Sequence, residues 1–90
     1  MKRALVTGGS GGIGAAICRR LAKDGHEILV QGNRSPAAAE AIAAEITAGG
    51  GRAQAVAFDV TDAAAVGAAL ERILAEGVVQ ILVNGAGIHD

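Results

Sequence analysis

Four short apolar runs, separated by three helical patterns, are the feature that most limits how this chain can fold. The runs have the length of strands and occupy residues 4–7, 28–31, 53–58 and 78–83. Their apolar residues are too continuous for strands with one face in water, and such strands are typical of sheets buried on both sides. The order β-α-β-α-β-α-β therefore predicts an α/β fold in which helices cover both faces of a parallel sheet.

The predicted helices have recognisable end residues. Ser35 followed by Pro36 is typical of a helix N-terminus, and the glycines at 49–51 end that helix in a turn. Thr61 or Asp62 caps the third helix. Apolar residues recur every three or four positions, as packing against a sheet requires: Ile13, Ala16, Ile17 and Leu21 in the first helix, Ile42 and Ile46 in the second, and Val66, Leu70, Ile73 and Leu74 in the third.

Composition excludes several classes of protein. The chain of 90 residues is long enough for one small domain, and its net charge of −1 with scattered basic residues argues against nucleic-acid binding. No apolar stretch approaches the ~20 residues of a membrane span. The single cysteine, Cys18, cannot form an internal disulfide, which favours a cytoplasmic location, and its helical context favours a buried apolar role. His26 and His89 lack metal-site spacing, so no metal is expected.

The octet TGGSGGIG at residues 7–14 places five glycines between the first apolar run and the first helix. Free backbone N–H groups and the positive end of a helix dipole meet there, so the loop is suited to an anion. Glycine lets a pyrophosphate lie against the backbone. A tight turn without a ligand is the alternative. Two dinucleotide-binding templates fit the octet: G-x-G-x-x-G at Gly9, Gly11 and Gly14, and T-G-x-x-x-G-x-G at Thr7, Gly8, Gly12 and Gly14.

Polar residues follow the other three runs, at the sheet edge where open α/β sheets bind ligands. Arg34 lies in a stretch, 28–39, without Asp or Glu, which favours a 2′-phosphate and hence NADP over NAD; a solvated loop charge is the alternative. Asp59 is placed to accept a hydrogen bond from an exocyclic amine such as that of adenine, or to cap the next turn. Asn84 offers a donor and an acceptor, and the small residues at 85–87 allow a ligand to approach closely.

Taken together, these residues resemble the classical branch of the short-chain dehydrogenase/reductase family, most closely its 3-oxoacyl-acyl carrier protein reductases. The motifs that carry the resemblance are Thr7-Gly8-x-x-x-Gly12-Ile13-Gly14, Asp59-Val60 and Asn84-Gly85-Ala86-Gly87. The resemblance implies a Rossmann-type three-layer fold with strand order 3-2-1-4, in which the first motif contacts pyrophosphate, the second adenine and the third the ribose. The candidate cofactor-binding residues are Gly8, Ser10, Gly12, Ile13, Gly14, Asn33, Arg34, Ser35, Asp59, Val60, Asn84, Ala86 and Gly87.

The sequence departs from the family pattern at two positions. Gly85 stands where the family usually has a second Asn that braces the central strand. Gly11 stands where NADP-preferring members often carry a basic residue, so Arg34 must supply most of that preference. In the register of the resemblance, Gly9 and Gly11 are only fillers.

The resemblance also implies catalysis by a Ser, a Tyr and a Lys, but this sequence contains no Tyr, and we assign no catalytic residue. We expect residues 1–90 to be a single NAD(P)-binding domain, the N-terminal half of a longer chain that cannot catalyse the reaction alone.

We therefore expect the cofactor-binding half of an NADP-dependent, cytoplasmic carbonyl reductase. By resemblance it reduces a 3-oxoacyl thioester to a 3-hydroxyacyl thioester in fatty-acid synthesis, acts on a small-molecule or acyl carrier protein-bound substrate, and forms a homodimer or homotetramer. No nucleic-acid or membrane partner is expected. The alternatives are a non-catalytic dinucleotide-binding or assembly module, and a reductase or dehydrogenase of another alcohol or ketone.

Overall fold

The computed structural model describes residues 2–9, 11–32 and 36–85. Strands and helices alternate along the chain as β1 (Arg3–Thr7), α1 (Gly12–Lys23), β2 (Glu27–Gly32), α2 (Pro36–Ala48), β3 (Arg52–Ala57), α3 (Ala63–Glu76) and β4 (Ile81–Asn84). The strands pair in parallel, in the order β3-β2-β1-β4. This confirms the predicted α/β fold and its Rossmann-type strand order.

The two central strands, β1 and β2, are buried on both faces. Leu5 pairs with Leu29 and Val6 with Val30, and the apolar residues of both strands are no more than 2% exposed. The outer strands β3 and β4 are covered less completely, and Leu82 of β4 is 69% exposed. Continuous apolar sequence therefore predicted burial on both faces correctly for the inner strands, and the same prediction was wrong for β3 and β4, which lie at the edges of the described sheet and have exposed residues.

Helices α1 and α2 cover one face of the sheet. Val6 and Val30 point to this face and pack with Cys18 of α1 and with Ala39 and Ile46 of α2. Cys18 is fully buried, which confirms its apolar role, and burial raises the pKa of its thiol to about 11. The thiol is therefore protonated at neutral pH.

Helix α3 covers the opposite face. Leu5 and Leu29 point to this face and pack with Ala69 and Ile73 of α3. The prediction that Leu74 belongs to the buried stripe was wrong, because Leu74 is 55% exposed. Ala69 and Ile73 are four residues apart and share one side of the helix, and the next residue projects about 100° away from them.

Residues 78–80 are not part of the last strand, although the apolar run predicted a strand from 78 to 83. β4 begins at Ile81, and the residues before it are held by Arg3. The Arg3 carbonyl accepts a hydrogen bond from Gln80 N (3.0 Å), and its guanidinium Nη1 donates to the carbonyl oxygens of Ile73 (3.0 Å) and Gly77 (2.6 Å). Arg3 thus satisfies carbonyl groups at the end of α3, and ladder pairing starts only afterwards.

The helix ends follow the predicted cap residues where these are described. Asp62, and not Thr61, is the N-cap of α3, since its Oδ1 accepts hydrogen bonds from Ala64 N (3.0 Å) and Ala65 N (3.1 Å). Pro36 is the first residue of α2 as predicted, and the expected N-cap of that helix, Ser35, lies outside the described residues.

Among the described helices, none is long and apolar enough to cross a membrane.

Candidate functional site

The carboxyl ends of all four strands meet at one edge of the sheet, and the candidate residues follow them there. β1 lies between β2 and β4, so the chain winds away from β1 in one direction through β2 and β3 and in the other through β4. A crevice forms where the winding direction changes, and open α/β sheets bind their ligands at this position. The site is therefore centred on the end of β1 and the start of α1.

The N-terminus of α1 has no side-chain cap and is a candidate anion-binding surface. Its N-cap residue is Gly11, which provides no side-chain hydrogen bond, and its first turn contains no acidic residue. The N–H groups of Gly12, Ile13 and Gly14 have no carbonyl four residues earlier within the helix. Gly12 and Ile13 are exposed, so the positive end of the helix dipole is open to a ligand.

Gly8 and Gly14 shape the loop that leads into this helix. Gly8 has a φ of +64°, a left-handed conformation that favours glycine. A Cβ on Gly14 would overlap the carbonyl oxygen of Gly8 and would lie 3.0 Å from Gly8 C and from Gly9 Cα. The helix therefore approaches the loop backbone more closely than any side chain would permit.

Gly9 and Gly11 differ from each other in what surrounds them. Gly9 is buried, and a Cβ there would lie 2.9 Å from Val30 Cγ1 and 3.1 Å from Cys18 Sγ. Around Gly11, the nearest atom to such a Cβ is 3.6 Å away. The interpretation of both as fillers was therefore wrong for Gly9, which packing against the core requires, and it holds for Gly11.

Asp59 shapes the turn between β3 and α3. Its Oδ1 accepts hydrogen bonds from Thr61 N at 2.9 Å and from Thr61 Oγ1 at 2.7 Å, an Asx-turn. The turn-capping role that was the alternative for Asp59 is thus present. The same bonds hold the carboxylate at the edge of the sheet, next to the exposed residues of the turn.

Asn84 and Gly85 lie against the end of β1. The hydroxyl of Thr7 lies 3.1 Å from Asn84 Oδ1 and 3.3 Å from the carbonyl oxygen of Val83, and both are acceptors for its hydrogen. Because Oδ1 faces Thr7, the amide end of Asn84 is the part that can meet a ligand. A Cβ on Gly85 would overlap the Thr7 carbonyl oxygen, so the glycine at this departure from the family pattern allows the two backbones to lie in close contact.

A cavity of about 250 Å³ opens beside these residues, between α3 and the strands β1 and β4. Thr7, Asn84 and Val60 line it near the sheet edge, and Leu5, Leu70 and other apolar side chains line it further in. The volume is at the small end of ligand-binding cavities, which suits one ring of a larger ligand.

Gln31 is a residue of this region that the sequence reasoning missed. It is fully buried, and it is the only buried residue with a polar or charged side chain in the part of the chain that the structure describes. Its Oε1 accepts from Gly8 N (2.7 Å), and its Nε2 donates to the Phe58 carbonyl (2.6 Å). A polar residue at the end of an otherwise apolar run was the available signal.

Six of the predicted cofactor-binding residues lie outside the described residues: Ser10, Asn33, Arg34, Ser35, Ala86 and Gly87. His89 also lies outside them. The structure brings the remaining seven to one edge of the sheet, around the start of α1, the β3–α3 turn and the end of β4. In residues 2–9, 11–32 and 36–85, no three His, Cys, Asp or Glu side chains are grouped as metal ligands.

Known proteins are similar to this sequence. The family profile described as short chain dehydrogenase matches residues 2–90. The chain is 43% identical over 91 residues to a 2,5-dichloro-2,5-cyclohexadiene-1,4-diol dehydrogenase of Sphingobium indicum, a match that covers 97% of this chain and 35% of that protein. It is 41% identical over 88 residues to a 3-oxoacyl-[acyl-carrier-protein] reductase of Staphylococcus aureus, covering 97% of this chain and 36% of that protein.

Known structures share the fold. A metagenomic short-chain oxidoreductase, solved in complex with NADP, matches with a TM-score of 0.91 and 38% identity over 97% of this chain and 39% of that one. The chain spans about a third of the length of the curated relatives it matches. The family profile matches residues 2–90, and the strand order is that of a Rossmann-type fold. The chain therefore belongs to the short-chain dehydrogenase family.

Proposed function

We propose that residues 1–90 form one NADP(H)-binding domain, the N-terminal cofactor-binding part of a short-chain carbonyl reductase. The observation that carries the proposal is the N-terminus of α1, which is exposed, has no side-chain cap and is approached closely by a glycine loop. That combination of helix N-terminal N–H groups, helix dipole and bare backbone suits a pyrophosphate. The solved relative in complex with NADP supports the same ligand class.

In this proposal the N–H groups of Gly12, Ile13 and Gly14 hold the pyrophosphate. The N–H group of Gly8 already donates to Gln31, and that of Gly11 donates to the Gly8 carbonyl at 3.2 Å. Gly8 therefore contributes through its left-handed conformation, which turns the loop towards the helix, and not as a donor. Gly14 contributes by allowing the close contact between helix and loop.

Asp59, Val60 and Asn84 hold the adenosine part of the cofactor. A carboxylate offers about four lone-pair sites, so Asp59 can keep its Asx-turn bonds and also accept from the adenine amine. Val60 lines the cavity next to Asn84, where an apolar wall suits the face of a base. Ala86 and Gly87 follow Asn84 and complete the ribose side.

The preference for NADP over NAD depends on Arg34, with Asn33, Ser35 and Ser10 as neighbouring polar residues. A guanidinium pairs with a 2′-phosphate in a forked geometry, and residues 28–39 contain no carboxylate to repel it. There is space for a side chain at position 11, but Gly11 provides none. Arg34 therefore recognises the 2′-phosphate without a second basic residue at that position.

When bound, the nicotinamide supplies a hydride for a carbonyl carbon, and the residues of this chain bind and orient the cofactor. The tyrosine that the family resemblance implies as proton donor is not among these 90 residues, which contain no Tyr. We propose a 3-oxoacyl thioester as the substrate, on the strength of the Staphylococcus aureus relative at 41% identity. The diol dehydrogenase relative at 43% identity supports another alcohol or ketone equally well, and this is the alternative substrate class.

Calorimetric titration of NADP+ and NAD+ tests the cofactor site, with the protein as its gene encodes it. The wild type is expected to bind NADP+ saturably, Gly14→Ala to lose that binding, and the matched control Gly11→Ala to keep it. Arg34→Ala is expected to weaken NADP+ about ten- to a hundredfold, as the loss of a charged hydrogen-bond pair would. The NAD+ affinity of Arg34→Ala should be unchanged. A wild type that binds neither dinucleotide refutes the proposed function, and an equal loss of both in Arg34→Ala refutes the specificity argument.

A non-catalytic dinucleotide-binding or assembly module is the second candidate function. It is favoured by the exposure of Leu82 (69%) and Leu74 (55%) on the α3 side of the molecule, together with the edge position of β4. The two candidates differ in turnover. NADPH oxidation with 3-oxoacyl thioesters or simple ketones supports the reductase, whereas dinucleotide binding without turnover of any carbonyl supports the module.

A further inference from the structure

We infer that Gln31 is a positioning residue that ties the pyrophosphate side of the cofactor site to its adenine side, an inference that rests on the proposed function. Gln31 lies at the end of β2, between the two parts of the site. Its side chain connects Gly8, in the glycine loop, with Phe58, which directly precedes Asp59.

The two ends of the Gln31 amide have different partners, and these partners determine its orientation. The N–H group of Gly8 is a donor and requires Oε1 at 2.7 Å, whereas the Phe58 carbonyl is an acceptor and requires Nε2 at 2.6 Å. The main chain of Gln31 adds a third link, since its carbonyl accepts from Gly9 N at 3.1 Å. One residue thus fixes the backbone at both sides of the site.

Burial makes these bonds difficult to replace. Gln31 is fully buried, so water cannot substitute for a lost amide partner at Gly8 or Phe58. A methionine side chain has nearly the same length but can satisfy neither group. An asparagine keeps both amide ends but is one methylene shorter, so it can reach only one of them.

The consequence concerns ligands that span both sides of the site. NADP+ needs its pyrophosphate at α1 and its adenine at Asp59 together, and therefore depends on the spacing that Gln31 sets. The fragment 2′-AMP carries the adenosine and the 2′-phosphate but no 5′-phosphate, so it depends on the adenine side without engaging the start of α1. A rigid spacing contributes affinity by removing the cost of ordering the two sides on binding.

The test compares the affinities of NADP+ and 2′-AMP by calorimetry in the wild type, Gln31→Met, Gln31→Asn and the control Gln54→Met. Gln54 pairs with Leu29 in the sheet register but is exposed, so the same substitution there removes an amide without leaving buried groups unpaired. In Gln31→Met the Kd for NADP+ is expected to rise about ten- to a hundredfold, and that for 2′-AMP less than about threefold. Gln54→Met should change neither value.

The kinetic expectation for Gln31→Met is a raised KM for NADPH with kcat unchanged at saturating cofactor. A purely structural role would lower the melting temperature and leave the ratio of the two affinities as in the wild type, which would overturn the inference. If Gln31→Met does not fold, Gln31→Asn decides, with an expected loss for NADP+ of about three- to tenfold and the same selectivity. A wild type that binds neither ligand refutes the proposed function itself, whereas a wild type that binds both while Gln31 variants match it refutes only this inference.

Discussion

Replacing Gly14 by alanine tests how closely α1 approaches the glycine loop. Gly14 lies in the first turn of α1, where alanine has the better helix propensity by about 1 kcal/mol. The added Cβ would overlap the Gly8 carbonyl oxygen and lie 3.0 Å from Gly8 C and Gly9 Cα, all of them main-chain atoms that cannot rotate away. Overpacking of this kind costs about 1–3 kcal/mol, and the main-chain contact places this site at the upper end of that range. The expected net loss is therefore about 2 kcal/mol of unfolding free energy.

Urea unfolding followed by circular dichroism measures this loss, and Gly67→Ala is its matched control. Gly67 also lies within a helix, α3, but it is exposed and a Cβ there meets no atom within 4 Å. Its replacement is expected to raise the unfolding free energy by about 0.5–1 kcal/mol through helix propensity alone. If Gly14→Ala were stabilised as Gly67→Ala is, the close approach of helix and loop would be refuted. Calorimetry on the same samples should show the loss of NADP+ binding in Gly14→Ala only.

Three further predictions concern stability. Gly85→Ala should lower the unfolding free energy by about 1–3 kcal/mol, because its Cβ would overlap the Thr7 carbonyl oxygen; a wild-type urea midpoint would contradict this contact. Asp62→Ala should cost about 0.5–2 kcal/mol by removing the N-cap of α3, and Asp62→Asn should restore most of it. The pKa of Cys18 is raised from 9.0 to about 11, so the protonated form is favoured in the folded state; its stabilising contribution is complete below pH 9 and is lost as the pH rises towards 11. Cys18→Ala should flatten the fall in unfolding free energy between these pH values, and equal slopes for both proteins would count against a buried thiol.

The strand order was predictable, and so was the gathering of the candidate residues at one sheet edge, because both depend on features that a sequence displays directly. The alternation of apolar runs and helical patterns specified parallel strands, and the glycine octet and Asp59 followed strands whose carboxyl ends meet at one edge. The start of β4 was not predictable in this way. Val78 is as apolar as the strand residues, but Arg3 bonds to the carbonyls before it and delays the pairing. Those bonds join residues 70 and 74 positions apart.

Gln31 shows a second limit of sequence reasoning. At the end of a buried strand, a glutamine is ordinarily an indication that the strand has reached the surface. Here the residue is fully buried because a donor from one loop and an acceptor from another converge on it. Neither partner is a side chain, so no residue type elsewhere in the sequence indicates the interaction.

The glycine loop shows why a motif can be identified correctly while the reasons for its residues stay hidden. Gly8 is required for a positive φ, Gly9 for the space left by Val30 and Cys18, and Gly14 for contact with a carbonyl group, whereas Gly11 is required for none of these. The two dinucleotide-binding templates match these positions by residue type alone. They therefore carry no information about which physical requirement each glycine meets. Only two of the three requirements concern the approach of a ligand, since the packing of Gly9 belongs to the core beneath the loop. In the proposed function the bare backbone of this loop serves both phosphate binding and the packing of the sheet. A substitution at Gly9, where a Cβ would meet Val30 and Cys18, is therefore expected to damage the fold before it affects the cofactor.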